Sequence, residues 1–319
     1  MSNHYIAWWN VENLFDSEKS EKRSDKLRRT LKSELKGWTE SVLDKKLGQL
    51  SKIISKMNDG KGPDILGVCE VENESVLQKL VNKISINNRD YDFAHEDTKD
   101  SRGIDIAFLF DKNRYEATKV FSHFIQKRNA TRDIFQTNLS IKGTKKEIIL
   151  IGNHWPARLG GEMSSEPYRM MAGENLAYFV ERIQEVKGIY APIVICGDFN
   201  DEPSDRSITE YARSTRVLAK ARSARSKRLF NMMWEEMGQG KASHFYDGYP
   251  NMLDQFMVTK GLLSQKAKIK IKEKSAKILD FDEMKKRSGE PRRFSRPGKR
   301  DYDPGGFSDH FPIAIILID

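Results

Sequence analysis

Ile193-Val194-Ile195-Cys196-Gly197-Asp198-Phe199-Asn200 is an apolar run that passes straight into a polar end. Four apolar, mostly β-branched residues closed by a glycine read as a buried strand. Alternation along a strand sets Asp198 and Asn200 on one face and turns Phe199 the other way into packing. A carboxylate beside a carboxamide can hold a water, a phosphate oxygen or a metal ion. An isolated Asn or Asp at a strand end is often only a turn former. Two polar groups on one face of an apolar strand are harder to explain by packing.

The same design recurs along the chain. Strand-like runs at 5–9, 65–69, 104–110, 148–152, 193–196, 256–258 and 313–318 alternate with amphipathic stretches. Leu43, Leu47, Leu50, Ile54 and Met57 predict a helix over 41–57. Val76, Leu77, Leu80, Val81 and Ile84 predict another over 75–84. A third is expected over about 167–187, with Pro167 suited to its first turn. Polar clusters sit at the ends of the strands: Asn10-Val11-Glu12-Asn13, Glu70-Val71-Glu72-Asn73, Asn153-His154-Trp155, Leu253-Asp254-Gln255 and Ser308-Asp309-His310. Rigid elements aim such groups and loops give access to them. Asp309 and His310 diverge if extended, so one turn can address two different groups. Glu70 and Asp309 are hard oxygen donors that suit Mg²⁺. No Cys/His cluster has zinc spacing, which argues against zinc.

The rhythm spans the chain without a clear linker, which favours one domain over 1–319, with insertions near 17–37 and 216–250 and a long basic loop near 283–306. Residues 17–37 are dominated by Lys, Arg, Glu and Ser, an insertion or mobile excursion. The net charge of +9 is unevenly placed. Residues 216–300 hold 22 Lys and Arg against 9 Asp and Glu, whereas the rest holds 33 against 37. A basic sector of this kind is an electrostatic footprint for a polyanion, though such runs are often solvated surface. No apolar run approaches the ~18 residues of a membrane span. The N-terminus shows no leader pattern, and Cys69 and Cys196 each lie in apolar sequence, as core thiols do. A cytoplasmic protein with no membrane partner is the expectation, and the sequence identifies no protein partner.

Taken in order, Trp9-Asn10-Val11-Glu12-Asn13, Cys69-Glu70-Val71, Arg102-Gly103-Ile104-Asp105, Asn153-His154-Trp155, Gly197-Asp198-Phe199-Asn200, Leu253-Asp254 and Ser308-Asp309-His310 resemble the motifs of the endonuclease/exonuclease/phosphatase superfamily. That superfamily includes pancreatic-type deoxyribonucleases, abasic-site endonucleases, deadenylases, inositol polyphosphate phosphatases and sphingomyelinases. His154-Trp155-Pro156-Ala157-Arg158 and Asp309-His310-Phe311-Pro312 look most like its bacterial predicted-endonuclease branch. The resemblance implies an α/β (α+β) four-layer sandwich, two packed mixed β-sheets flanked by helices, with the site at one end. It implies Asn10, Glu70 and Asp309 around Mg²⁺, with Mn²⁺ as a substitute. Asp198 would orient or deprotonate the attacking water, and Asn200 would hold it or a phosphate oxygen. His310, oriented by Asp254, would stabilise phosphoryl charge, and His154 would contact phosphate or assist the leaving group. Arg102 and Arg158 are candidate phosphate forks, with surface arginine as the plain alternative.

The pattern also departs from the family. Cys69 stands where Gln commonly precedes the catalytic Glu, and Gln255 where many members have Tyr or His. No residue matches the leaving-group Tyr of abasic-site enzymes. A nuclease acting on DNA or RNA is the expected function. The alternatives are a phosphoesterase acting on an inositol phosphate, nucleotide or phospholipid headgroup, and a catalytically silent nucleic-acid-binding module.

Overall fold

A computed structural model describes residues 2–98, 100, 102–125, 131–158, 160–223 and 227–319. Each apolar run read as a strand forms one, usually with its polar tail included: Asn3–Leu14, Ile65–Val71, Asp105–Asp111, Glu147–His154, Ile193–Asp198, Asp254–Val258 and Ile313–Ile318. Two mixed seven-stranded sheets result, the α/β sandwich expected from the resemblance. In the first sheet, Ile313–Ile318 and Ile65–Val71 flank Asn3–Leu14, and Asp105–Asp111 and Tyr91–His95 follow outward. In the second the order is Tyr115–His123, Ile134–Ile141, Glu147–His154, Ile193–Asp198, Asp254–Val258, Leu229–Asn231 and Ser214–Thr215.

Between the sheets lies one apolar core, with Trp8, Phe108, Leu150, Cys196 and Phe256 fully buried. The sheets approach so closely at Gly152 that an added Cβ would lie 2.6 Å from Ile106 Cγ2 and 3.2 Å from Phe108. Ile106 is β-branched and cannot swing away cheaply. Gly152→Ala is therefore expected to destabilise by about 1–3 kcal/mol through overpacking. Urea denaturation checks this, and an unchanged midpoint refutes it.

Helices Glu40–Lys56 and Glu74–Lys83 match the 41–57 and 75–84 expectations, capped by the side chains of Thr39 and Asn73. The third helix, Glu162–Lys187, begins earlier than expected, so Pro167 lies inside it and not in its first turn. The sequence reading missed that opening turn because it lacks apolar periodicity. The Ser164 and Ser165 hydroxyls donate to the carbonyls of Gly160 and Gly161 there.

The polar stretch 17–37 is tied down. Arg23 is buried against Glu72, and Leu31, Leu35 and Trp38 form a separate cluster with Phe15, Ile104 and Phe294. Its charge hid a handful of well-spaced anchors. Of the 216–250 stretch, Leu229–Asn231 joins the second sheet and a small hairpin brings His244 beside His310, whereas residues 224–226 lie outside the described residues. The basic loop near 283–306 holds little regular structure but buries Phe294 against Trp38, with ring centroids 5.9 Å apart. Cys69 and Cys196 are free, buried thiols. Among the described residues, no helix is long and apolar enough to cross a membrane.

Candidate active site

Strand register does much of the positioning. His154 pairs with Asp198 on the parallel neighbour, and Asp198 pairs with Asp254 on the antiparallel one. Residues directly opposite one another share a face, so three candidate side chains from three strands form one row. His310 joins them from the C-terminal turn, its Nδ1 2.6 Å from Asp254 Oδ2. The other oxygen of Asp254 accepts from Trp8 Nε1 at 3.0 Å, which fixes the carboxylate plane. His310 Nε2 lies 3.8 Å from Asp198 Oδ2, and His154 Nε2 lies 3.8 Å from the same oxygen. Asn10 Nδ2 donates to that oxygen at 3.0 Å.

The turn carrying His310 is held by the N-terminal strand. Ser308 Oγ donates to the Asn10 carbonyl at 2.6 Å, and Trp9 Nε1 donates to the His310 carbonyl at 2.9 Å. Residues some three hundred positions apart in sequence thereby share one hydrogen-bonded unit.

Asn200 reaches the site by a different route from the one alternation suggests. The strand stops at Asp198, and Asn200 turns left-handed at φ 50°. Its N–H donates to Asp198 Oδ1 at 3.0 Å, and its side-chain amide donates to the Trp155 carbonyl at 3.0 Å. The two are neighbours through a turn, which is where the bland reading of Asn as a turn former applies. Phe199 packs inward as expected, edge-on to Trp155.

Glu70 occupies a β-bulge, where pairing shifts between Cys69 and Val71 and φ is 67°. Glu12 and Asn13, in the facing bulge of the N-terminal strand, also have positive φ, at 53° and 52°. Left-handed non-glycine residues store roughly 1–3 kcal/mol each, and such residues cluster at functional sites. The Asn13 N–H donates to Glu70 Oε2 at 2.8 Å, leaving Oε1 3.7 Å from His154 Nε2. Asp309 Oδ2 lies 3.3 Å from Arg293. Glu70 Oε1 lies 3.7 Å from His154 Nε2, which shares Asp198 Oδ2 with Nε2 of His310, the residue that follows Asp309, so the two carboxylates border one locus. Two carboxylates and the Asn10 carbonyl oxygen fit a small hard cation that keeps several waters. Asn10 Oδ1 already accepts from the Glu12 N–H at 3.0 Å but retains a second lone pair.

The electrostatics separate the two histidines. Burial alone would lower His310, but the Asp254, Asp198 and Asp309 carboxylates outweigh it and its pKa is pushed up to about 10. His154 is held well below the ordinary value by burial, then by Arg132, Arg102 and His310. One ring is thus an imidazolium and the other a neutral imidazole at pH 7. Burial pushes Asp198 up to about 6, with Asp254 acting in the same direction against His310 and two hydrogen bonds.

The two candidate forks differ. Arg102 donates to Asn13 Oδ1 at 2.7 Å, beside the bulge that presents Glu70. Arg158 is engaged instead: Nε donates to the Asn200 carbonyl at 2.8 Å, and the guanidinium lies 3.3 Å from Asp205 and 3.6 Å from Asp201. It braces the Asn200 turn against an acidic pocket and does not present an open fork. Sequence reading missed Lys46, Glu12, Arg293 and His244. Glu12 was visible within the Asn10–Asn13 motif; its carboxylate accepts from Arg293 at 2.8 Å and from the Phe294 N–H at 2.9 Å. Lys46 lies on a helix whose apolar periodicity concealed it, and its Nζ donates to the Phe307 carbonyl at 2.5 Å. His244 lies tilted against His310, ring centroids 4.6 Å apart, and gave no local signal.

A sequence model of the Endonuclease/Exonuclease/phosphatase family matches residues 5–319. No curated protein matches the chain in sequence. Among solved structures, humanized D. rerio TDP2 superposes with a TM-score of 0.61 at 13% identity, covering 100% of both chains. A mannosyl-6-phosphatase from Bacteroides thetaiotaomicron gives 0.59 at 14%, covering 99% of this chain and 100% of that one. The catalytic domain of human Nocturnin with bound sulfate gives 0.52 at 15%, covering 99% and 94%. At these identities the likeness is one of fold.

Proposed function

The chain belongs to the Endonuclease/Exonuclease/phosphatase family, and on that premise we propose that it is a Mg²⁺-dependent nuclease, hydrolysing DNA or RNA phosphodiester bonds, with Mn²⁺ able to replace Mg²⁺. The observation that carries this reading is the row His154–Asp198–Asp254 across three adjacent strands, completed by His310. Asp198, aligned by Asn10 and the Asn200 N–H, takes the proton of the attacking water. His310, kept protonated and oriented by Asp254, faces the developing charge on the non-bridging oxygens. His154, neutral and with Nε2 toward the site, donates to a phosphate oxygen or to the leaving group. Glu70, Asp309 and Asn10 would hold the cation, which supplies Lewis acidity at a phosphoryl oxygen when bound.

A polyanionic substrate is favoured because the basic 283–306 loop runs to the site itself, where Arg293 touches Asp309. A small phosphoester is the rival, because Arg292, Arg296 and Lys286 of that loop are paired with Asp303, Glu34 and Glu290. Plasmid DNA, single-stranded DNA, RNA and a panel of soluble phosphoesters, each with Mg²⁺ or EDTA, separate the two. The expected result is cleavage of a nucleic acid that EDTA abolishes and that weakens steeply with salt as counterions are released. Turnover confined to small phosphoesters favours the rival, and no turnover of any substrate rejects both.

A further inference from the structure

Away from the catalytic row, His95 ends the strand Tyr91–His95 and pairs with Ala107 on the antiparallel neighbour Asp105–Asp111. Asp105 is two residues from Ala107, so its side chain emerges on the same face as His95. The His95 side chain is only 1% exposed, yet among the described residues neither ring nitrogen has a hydrogen-bond partner. Two unsatisfied buried nitrogens in one imidazole are unusual, because such groups are nearly always bonded. Nε2 faces two carboxylate oxygens just beyond hydrogen-bond reach, Asp97 Oδ1 at 3.8 Å and Asp105 Oδ2 at 3.9 Å.

We propose that His95, Asp97 and Asp105 form a second cation site, separate from the catalytic one, that takes a borderline divalent ion such as Zn²⁺. One imidazole nitrogen and two carboxylate oxygens, all within 4.8 Å of one another, are the donor types that zinc selects. Ligands about 2.0–2.2 Å from a shared tetrahedral ion stand roughly 3.3–3.6 Å apart, so each carboxylate oxygen needs to approach Nε2 by only a few tenths of an ångström, and the two carboxylates, whose oxygens lie within 4.8 Å of one another, need to close by no more than roughly 1.5 Å. Asp97, 74% exposed on the loop, is the ligand placed to make that movement, and water can complete the shell. Asp105 is pre-oriented: Oδ1 accepts from Thr98 Oγ1 at 2.5 Å and from the Thr98 N–H at 3.1 Å, which leaves Oδ2 toward His95.

The acidic trio Glu162, Asp201 and Asp205 has comparable spacing but is already neutralised by Arg158 and Arg169. The His95 cluster contains no such arginine among its described partners. Its loop leads to Arg102, which holds Asn13 beside Glu70.

Equilibrium dialysis against Zn²⁺ followed by elemental analysis tests this in the full chain. The comparison is Glu70→Gln, which weakens the catalytic site, against Glu70→Gln/Asp97→Asn, in which the second change is exposed and leaves the fold intact. The first should retain one more equivalent of Zn²⁺ than the second. Its affinity at that site should be weaker in the double variant by at least the roughly tenfold that loss of even an outer-shell partner brings. Equal retention by the two proteins overturns the site, as does the absence of Zn²⁺ from Glu70→Gln.

Discussion

Asp198→Asn lowers kcat by roughly 10²–10⁴-fold, the range set by loss of a positioned general base, while the metal-free protein melts no lower than wild type. Asparagine fills the same volume, so the packing of Phe199 and Trp155 beneath it is kept. What disappears is a carboxylate between two histidine Nε2 atoms, each 3.8 Å away. The stability half follows from the sign of the pKa change. Burial raises Asp198 to about 6 in the fold from an ordinary 3.8, so its favourable contribution is complete below pH 3.8. That contribution is lost as pH rises through 6. Near pH 8 the ionised group opposes folding, and a neutral isostere relieves the burden. Asn10 and the Asn200 N–H both donate to Asp198, so the amide must lose one of those bonds, which offsets part of the gain. Steady-state kinetics with saturating Mg²⁺ and thermal melts in EDTA at pH 8 read the two halves separately. Near-normal kcat removes Asp198 from the mechanism. A collapse in both kcat and melting temperature makes its role structural.

The legible part of this molecule is the part written in local pattern. Apolar runs of 4–7 residues ending in Asn, Asp, Glu or His gave strands whose polar tails reach the site, because alternation and burial act over a few residues. Asp198 was readable for that reason, and Asp254 because it opens an apolar strand. What was not readable depends on long-range pairing. Lys46 looks like a surface residue of an amphipathic helix, and it is buried by distant segments that carry Phe307, Phe294 and Glu12 to that helix. Arg293 sits in a run of Arg, Pro and Gly that resembles solvated loop. Nothing near it announces that Phe294 anchors the run against Trp38 and carries the guanidinium to Glu12 and Asp309. Arg158 depends on distant pairing in the same way, since its motif gives no sign of Asp201 and Asp205, more than forty residues on, which lie beside its guanidinium. Bulges are a third class. The left-handed turn at Glu70 needs a facing bulge in another strand, which no single segment encodes.

Arg23→Ala should destabilise the fold by about 3–5 kcal/mol, as expected when one member of a buried ion pair is removed. Charge-rich sequence around residue 23 suggests a tolerant surface, and the structure says otherwise. The Arg23 side chain is 0% exposed and Glu72 is 1% exposed. The guanidinium makes two bonds to Glu72, at 2.5 and 2.6 Å, and donates to the carbonyls of Ser17 and Asp16 at 3.0 and 2.8 Å. Among the described residues, truncation leaves the Glu72 carboxylate buried with only the Asp16 N–H, at 2.7 Å, still donating to it. Glu72 lies two residues beyond Glu70, so the damage reaches the bulge that presents a candidate metal ligand. Denaturant unfolding measures the first effect, and a paired Arg23→Met/Glu72→Leu variant isolates its cause. If the uncompensated charge is responsible, the double change is much milder than the single one, because apolar side chains of similar volume replace a pair that is costly to desolvate. If the double variant is as unstable as Arg23→Ala, the lost bonds to Ser17 and Asp16 dominate, and the guanidinium holds the chain chiefly by its backbone contacts. A single variant that unfolds like wild type would return the 17–37 stretch to the status of a surface excursion.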